Sequence, residues 1–224
     1  MSLLETVEAE TGPQPASSVI VLHGLGADGH DFEPIARELD LQAIGAVRFV
    51  FPHAPVRPVT INGGYRMRAW YDLLGTEAAG RQDEAGLRAS AALVERLLER
   101  EKQRGIPASR IVLAGFSQGC AMALMVGLRH GERLAGIAGL SGYLPLAHAT
   151  DAERSPANRQ VPVFLAHGTA DDIVTAERGR QSRDFLRGLG YDIEWHEYPM
   201  GHSVCMEEVA DLQAWLLRVL AHGG

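Results

Sequence analysis

Short apolar runs alternate with helical patterns along this chain, and that alternation most constrains its fold. Five runs are apolar throughout, as strands buried on both faces of a sheet are, and they cover 19–22, 47–51, 111–114, 136–140 and 163–166. A sixth run, 192–198, alternates apolar and polar residues and predicts a strand near a sheet edge. Apolar stripes with helical spacing predict helices over 83–104, 118–130, 176–189 and 206–220. The chain is therefore predicted to be an α/β protein with a mostly parallel central sheet and helices on both faces.

Length, charge and cysteine content exclude several classes of protein. The 224 residues suit a single domain over 1–224. The net charge of −7 disfavours binding to nucleic acid or to anionic membrane surfaces. The chain has no apolar run near the ~18 residues of a membrane-spanning helix, and its first residues lack the features of a secretory signal. Because two cysteines, Cys120 and Cys205, form no disulfide framework, we expect a cytoplasmic protein without membrane insertion.

The segment 111–119 carries the strongest indication of chemistry. It reads Gly115-Phe-Ser117-Gln-Gly119, with a predicted strand before it and a predicted helix after it. In a Gly-x-Ser-x-Gly turn between strand and helix, the glycines leave room where the backbone crowds, and the helix N-terminus favours a developing oxyanion. A chance match in a loop is the alternative, and the flanking elements disfavour it. We therefore predict Ser117 as the nucleophile of an α/β-hydrolase fold.

Two aspartates compete for the role of catalytic acid. In this fold the acid follows the serine along the chain and comes just after a later strand. Asp171 and Asp172 both follow the predicted strand 163–166. Two adjacent side chains cannot both point at one imidazole, so one of them is expected to be solvated. The spacing alone favours Asp171 modestly.

The catalytic base should lie in a loop after the last strand. Of the nine histidines, His202 follows strand 192–198 and precedes the last predicted helix. His196 lies within the strand on its polar face, where solvation is expected, and His222 lies in the C-terminal tail. Position along the chain therefore predicts His202 as the base.

Two backbone N–H groups are needed to bind the oxyanion. One normally belongs to the residue after the nucleophile, here Gln118, and the other to a loop after an early strand. The glycine-rich loop 23–29 follows strand 19–22 and allows close approach of the backbone to a ligand, so the N–H of Leu25 is the candidate. An ordinary turn is the alternative. Phosphate binding is disfavoured because the loop has neither a dinucleotide-binding nor a P-loop pattern.

The segment 52–75 is too long for an ordinary connection, and long loops in compact domains are often functional. Asn62-Gly63 predicts a hairpin turn within it. The apolar residues that could line an acyl groove are Leu25, Trp70, Leu73 and Leu74. Core packing is the alternative for these residues. Only about twenty residues separate Leu140 from Val163, which leaves no room for a cap domain and predicts an open site.

Taken together, these motifs resemble the phospholipase/carboxylesterase family, which includes bacterial carboxylesterases and acyl-protein thioesterases. The matching motifs cover nearly the whole chain and lie at 22–32, 51–59, 67–72, 115–119, 141–145, 167–171 and 201–203. The resemblance implies a Ser117, Asp171 and His202 triad with Leu25 and Gln118 as the N–H donors. It also favours Asp171 over its neighbour, since the family aspartate follows His-Gly after two further residues. Thr175 departs from the proline that many members carry, without consequence for the chemistry.

We therefore expect a serine carboxylic-ester hydrolase acting on small-molecule acyl esters of short to medium length, with broad specificity. Acyl-protein thioesterase and lysophospholipase activities are alternatives on the same machinery. A non-catalytic receptor on this fold is disfavoured because each catalytic position holds the required residue, and a dienelactone-hydrolase type because it normally carries cysteine as nucleophile. No cofactor or metal is expected, since the histidines lack zinc-ligand spacing. The sequence leaves a homodimer open.

Overall fold

A computed structural model describes residues 3–75 and 81–221 of the protein. Its strands are β1 (Thr6–Glu10), β2 (Ser17–Leu22), β3 (Val47–Pro52), β4 (Val56–Val59), β5 (Tyr65–Arg68), β6 (Ile111–Phe116), β7 (Gly136–Leu140), β8 (Val163–Gly168) and β9 (Ile193–Tyr198). Its α-helices are α1 (Glu33–Glu38), α2 (Glu84–Gln103), α3 (Gln118–Gly127), α4 (Ala147–Glu153), α5 (Ala176–Gly188) and α6 (Met206–Ala221). Short 3-10 turns connect several of these elements.

Seven of these strands form one sheet in the order β1-β3-β2-β6-β7-β8-β9. β1 pairs antiparallel with β3, and every other neighbouring pair in this sheet is parallel. The predicted α/β fold with a mostly parallel sheet is therefore confirmed. Because parallel strands end at one edge, the loops after β2, β6, β8 and β9 meet there, and these loops carry the predicted site residues.

The sheet separates two apolar layers, which explains why its central strands are apolar throughout. Leu113 of β6 faces a layer that includes buried residues of α2, α3 and α5. Its neighbours Val112 and Ala114 face the opposite layer, which includes buried residues of α1 and α6. Successive side chains of a strand point to opposite faces, so a strand covered on both sides has no polar position. Within the described ranges, no helix is long and apolar enough to cross a membrane.

The predicted helix cap at Asp83 and the predicted hairpin turn at Asn62-Gly63 are both present in the structure. The side chain of Asp83 accepts a 2.9 Å hydrogen bond from the Gly86 N–H and caps the N-terminus of α2. β4 and β5 form the predicted hairpin, with Gly63 at φ 64° in its turn. The end predicted for the second helix, at residue 130, was too late, since α3 ends at Gly127.

Glu208 is a buried carboxyl group outside the predicted site. It lies in the first turn of α6, is fully buried, and lines an apolar cavity that also contacts Phe32 and Leu140. Neither of its carboxyl oxygens has a hydrogen-bond partner among the described residues. Burial raises the pKa of Glu208 from an ordinary 4.5 to about 8, and the nearby backbone of Cys205 opposes this only in part.

The raised pKa of Glu208 should make the protein less stable as the pH rises. The unfolded chain releases this proton near pH 4.5, whereas the folded chain holds it until about pH 8. The free energy of unfolding therefore falls as the pH rises between these values. In Glu208→Gln, the decrease between pH 5 and pH 8 should be smaller than in wild type by about 3 kcal/mol. Urea unfolding at several pH values measures the difference. The exposed neighbour Glu207→Gln is the control, and an equal pH slope in wild type and Glu208→Gln would contradict the expectation.

Candidate active site

Ser117 lies at a strained turn between β6 and α3. Its φ of 54° and ψ of −116° place a non-glycine residue in a sparsely populated region. Its N–H donates a 2.9 Å hydrogen bond to the carbonyl of Leu140. A Cβ atom on Gly119 would lie 1.9 Å from the Leu22 carbonyl oxygen, and one on Gly115 would lie 2.2 Å from that of Gly119. The two glycines therefore permit the close backbone approach that the turn requires.

The structure brings Ser117, His202 and Asp171 into one hydrogen-bonded chain. His202 Nδ1 is 2.7 Å from Asp171 Oδ2, and His202 Nε2 is 2.9 Å from Ser117 Oγ. A carboxylate can only accept, so Nδ1 carries the imidazole proton and Nε2 presents a lone pair to the serine hydroxyl. The ring of Phe116 packs 4.8 Å from the imidazole, measured between centroids. This arrangement can remove a proton from Ser117.

The carboxylate of Asp171 is fixed from both sides. Its Oδ1 accepts 2.9 Å hydrogen bonds from the N–H groups of Ile173 and Val174, which leaves Oδ2 for the histidine. Asp171 is buried, whereas the competing Asp172 is exposed. The local turn therefore determines which oxygen faces His202.

His167 supports the same turn and was not singled out from the sequence as a functional residue. It is buried, and its Nε2 donates a 2.7 Å hydrogen bond to the carbonyl of Val174 and lies 3.4 Å from Asp171 Oδ2. Desolvation lowers the pKa of His167 and keeps the ring neutral. Its place at the start of the His-Gly-x-x-Asp motif is the signal that could have identified it.

The two predicted oxyanion donors belong to two different segments, the start of α3 and the loop after β2. Gln118 is the first residue of α3, where backbone N–H groups are free of helix partners. Leu25 is half-buried in the loop after β2. A Cβ atom on its neighbour Gly24 would lie 3.4 Å from Ser117 Cβ, so this loop packs against the serine.

The residues predicted to line an acyl groove differ in their exposure. Leu74 is 37% exposed and Leu73 is half-buried, as is Leu25. Trp70 is fully buried and packs in the apolar layer beside α2 and α3. Leu73 and Leu74 thus offer surface to a ligand, and Trp70 does not.

Both cysteines are free thiols in the structure. Cys120 is buried, and burial raises the pKa of its thiol to about 12. Cys205 is half-buried, and desolvation also raises the pKa of its thiol. Neither side chain is therefore a thiolate near neutral pH, which disfavours a cysteine nucleophile.

One group of metal-ligating side chains occurs among residues 3–75 and 81–221. Asp28, His30 and His53 each place one ligand atom within 4.8 Å of the others. However, His30 Nδ1 lies 3.0 Å from Asp28 Oδ1, and the N–H of Gly29 donates a 3.0 Å hydrogen bond to His53 Nδ1. An imidazole that accepts at Nδ1 carries its proton at Nε2, so His53 has no free lone pair for a metal. These contacts tie the loop after β2 to the end of β3.

Comparison with known proteins places these features in a family. The family model described as Phospholipase/Carboxylesterase matches residues 4–220. An acyl-protein thioesterase 1 from Yarrowia lipolytica is 42% identical over 89% of this chain and 90% of its own length. A probable carboxylesterase from Oryza sativa is 35% identical over 89% of this chain and 76% of its own length.

Solved structures agree with this placement. Acyl-protein thioesterase 2 from Zea mays has a TM-score of 0.83 and 31% identity, covering 96% of this chain and 99% of its own. SOBER1 from Arabidopsis thaliana has a TM-score of 0.86 and 29% identity, covering 91% of this chain and 99% of its own. The chain therefore belongs to the phospholipase/carboxylesterase family of α/β-hydrolase enzymes.

Proposed function

We propose that this protein is a serine carboxylic-ester hydrolase that cleaves short-to-medium acyl esters with broad specificity. The observation that carries the proposal is the hydrogen-bonded chain from Asp171 through His202 to Ser117. Family membership supports the same reaction class. In this proposal Ser117 is the nucleophile, His202 the general base and Asp171 the acid that orients it.

The reaction would proceed by acyl transfer in two steps. His202 Nε2 takes the proton of Ser117 while Oγ bonds to the acyl carbonyl carbon, and the carbonyl oxygen becomes an oxyanion. The N–H groups of Leu25 and Gln118 bind this oxyanion, and losing one such donor typically costs about 10²–10³ in rate. The leaving alcohol or thiol then takes the proton from His202. Water activated by His202 releases the acid and restores Ser117.

The surroundings of the site support an open, unselective acyl pocket. Between β7 and β8 the chain forms only short helices, α4 among them, and no inserted domain. Leu74 and the acid-loop residue Ile173 are exposed apolar side chains, 37% and 65% respectively. Exposed apolar side chains favour acyl chains over charged groups as ligands, and Ile173 lies on the loop of the catalytic acid.

A thioester substrate is the second candidate, because several relatives are named acyl-protein thioesterase 1. A thioester carbonyl requires the same nucleophile and oxyanion donors as an ester, so the residues do not separate the two substrates. Lysophospholipids are a third candidate on the same machinery.

Hydrolysis of p-nitrophenyl esters and acyl thioesters of increasing chain length tests the proposal. We expect turnover that is highest at short-to-medium chains, and a serine-reactive phosphonate should label the peptide containing Ser117. The ratio of kcat/KM for ester and thioester of equal chain length chooses between the first two candidates. A folded protein that is inert toward every substrate and unlabelled by the phosphonate would instead be a non-catalytic member of the fold.

We also propose a domain organisation, a location and a set of partners for the protein. We infer one domain over residues 1–224, supported by the family match to 4–220. The acidic net charge supports the absence of a nucleic-acid partner, and two free cysteines support a cytoplasmic location. A homodimer is testable by light scattering in solution.

A further inference from the structure

Trp70 connects the two halves of the predicted oxyanion hole through a buried set of hydrogen bonds. Its indole Nε1 donates to the carbonyl of His23 at 2.9 Å, and its backbone N–H donates to Gln118 Oε1 at 2.7 Å. Gln118 Nε2 in turn donates to the carbonyl of Tyr71 at 2.8 Å. Gln118 follows the nucleophile and His23 begins the loop that carries Leu25, so one residue joins both, through its indole on one side and its backbone N–H on the other.

His23 transmits this contact to the loop that carries Leu25. Its Nε2 accepts a 3.0 Å hydrogen bond from the Ala54 N–H, so the neutral ring carries its proton at Nδ1. That nitrogen lies 2.7 Å from the carbonyl of Gly24, the residue before Leu25. The first residues of the loop, His23 and Gly24, are therefore held in place by buried hydrogen bonds.

Because these hydrogen bonds are buried, losing one of them is costly. Trp70 is fully buried, His23 is 1% exposed and Gln118 is 4% exposed. A buried carbonyl or N–H that loses its partner costs about 1–3 kcal/mol, so removing one member should shift the backbone toward a new partner. Because an oxyanion hole depends on donors placed to within a fraction of an ångström, such a shift weakens transition-state binding.

We propose that Trp70 is a positioning residue that holds the N–H groups of Leu25 and Gln118 at the spacing an oxyanion requires. This inference rests on the proposed acyl transfer and differs from the expectation that Trp70 lines the acyl groove. A groove residue contributes to substrate binding in the ground state, whereas a positioning residue acts on the transition state. The two roles therefore predict different kinetic changes.

The test compares wild type with Trp70→Phe, which keeps an aromatic side chain and removes the indole N–H. We expect kcat to fall roughly tenfold to a hundredfold with KM nearly unchanged, less than the loss of a whole oxyanion donor. Affinity for a trifluoromethyl ketone should fall by a similar factor, because its adduct with Ser117 Oγ places an oxyanion in the hole. Affinity for a non-reactive amide of the same acyl group should not change.

Two further variants separate positioning from loss of packing. Trp215→Phe alters a tryptophan of α6 that is also buried, at 2% exposed, and kcat should stay at the wild-type value even if the melting temperature falls. Gln118→Met keeps the backbone N–H but removes the amide contacts to Trp70 and Tyr71, and it should lower kcat as Trp70→Phe does. The double variant Trp70→Phe/Gln118→Met should lose less than the product of the two single effects, because both act through one network.

Different results would overturn the inference in recognisable ways. A higher KM with unchanged kcat in Trp70→Phe would show that Trp70 affects substrate binding and not the oxyanion donors, and would overturn the inference. Wild-type kcat and ketone affinity in a folded Trp70→Phe would overturn the inference while leaving the proposed hydrolysis intact. No turnover by the wild-type protein would overturn the proposed function itself, and the inference with it.

Discussion

Ser117→Ala is expected to lower kcat for the best ester substrate by about 10⁶-fold. The proposed reaction needs Oγ to form the covalent bond to the acyl carbon, and alanine offers no atom in its place. Cys120 cannot take over, because it is buried and its thiol pKa is about 12. The remaining activity would come from the oxyanion donors and from water activated by His202.

Steady-state hydrolysis and phosphonate labelling of the purified variant measure this loss. Ser203→Ala is the matched control, since Ser203 is exposed in the same loop as His202 and its removal should leave kcat near the wild-type value. The strain at position 117 is in the backbone, so the alanine variant should fold as the wild type does. A folded Ser117→Ala with kcat within about tenfold of wild type would rule out this residue as nucleophile.

The central part of the fold was predictable because burial on two faces forces a recognisable pattern. β6 and β7 are apolar at nearly every position, since their side chains enter both apolar layers. β1 was not predicted. Its sequence, Thr-Val-Glu-Ala-Glu, carries three polar residues, and it forms a strand because it pairs with the edge of β3. Edge strands with one solvated face have a weaker signal than central ones.

The helix α1 was missed for a related reason. It has only six residues, with Pro34 in its first turn, and Ala36 is its one buried side chain. A helix this short shows fewer than two turns of apolar periodicity, so tertiary packing decides whether it forms. Its position over the second apolar layer is visible only once the sheet is assembled.

The order of Ser117, Asp171 and His202 could be read along the chain because each follows a strand of a parallel sheet, and these ends converge. The choice of Asp171 over Asp172 was favoured only modestly by spacing. It depends on backbone N–H groups of Ile173 and Val174, which a sequence pattern does not display.

The hydrogen bonds that support the oxyanion loop could not be predicted from the sequence. Trp70 contacts His23 and Gln118 across separations of 47 and 48 residues. An aromatic residue in a long loop is equally compatible with a ligand groove or with the core, and apolar character cannot distinguish them. The hydrogen bond from the indole N–H to the His23 carbonyl distinguishes the two roles, and this bond forms only in the folded chain.

Asp171→Asn should lower kcat by about 10⁴-fold, through a change of tautomer rather than of shape. In the wild type, Asp171 Oδ1 accepts the N–H groups of Ile173 and Val174, and Oδ2 faces His202 Nδ1. Asparagine can satisfy the two N–H groups only with its carbonyl oxygen, so its NH₂ must face His202. Nδ1 then has to accept, which moves the imidazole proton to Nε2.

An imidazole protonated at Nε2 cannot remove the proton of Ser117, so the variant should fold normally and fail in catalysis. Hydrolysis rates of Asp171→Asn and of the neighbouring Asp172→Asn, measured with one ester under the same conditions, give the comparison. Asp172 is exposed, and its amide should leave kcat within about twofold of wild type, as a surface substitution away from the site does. The reverse result, with Asp172→Asn inactive and Asp171→Asn active, would show that the catalytic acid is Asp172. A well-folded Asp171→Asn with wild-type kcat would mean that the orientation of His202 does not depend on this carboxylate.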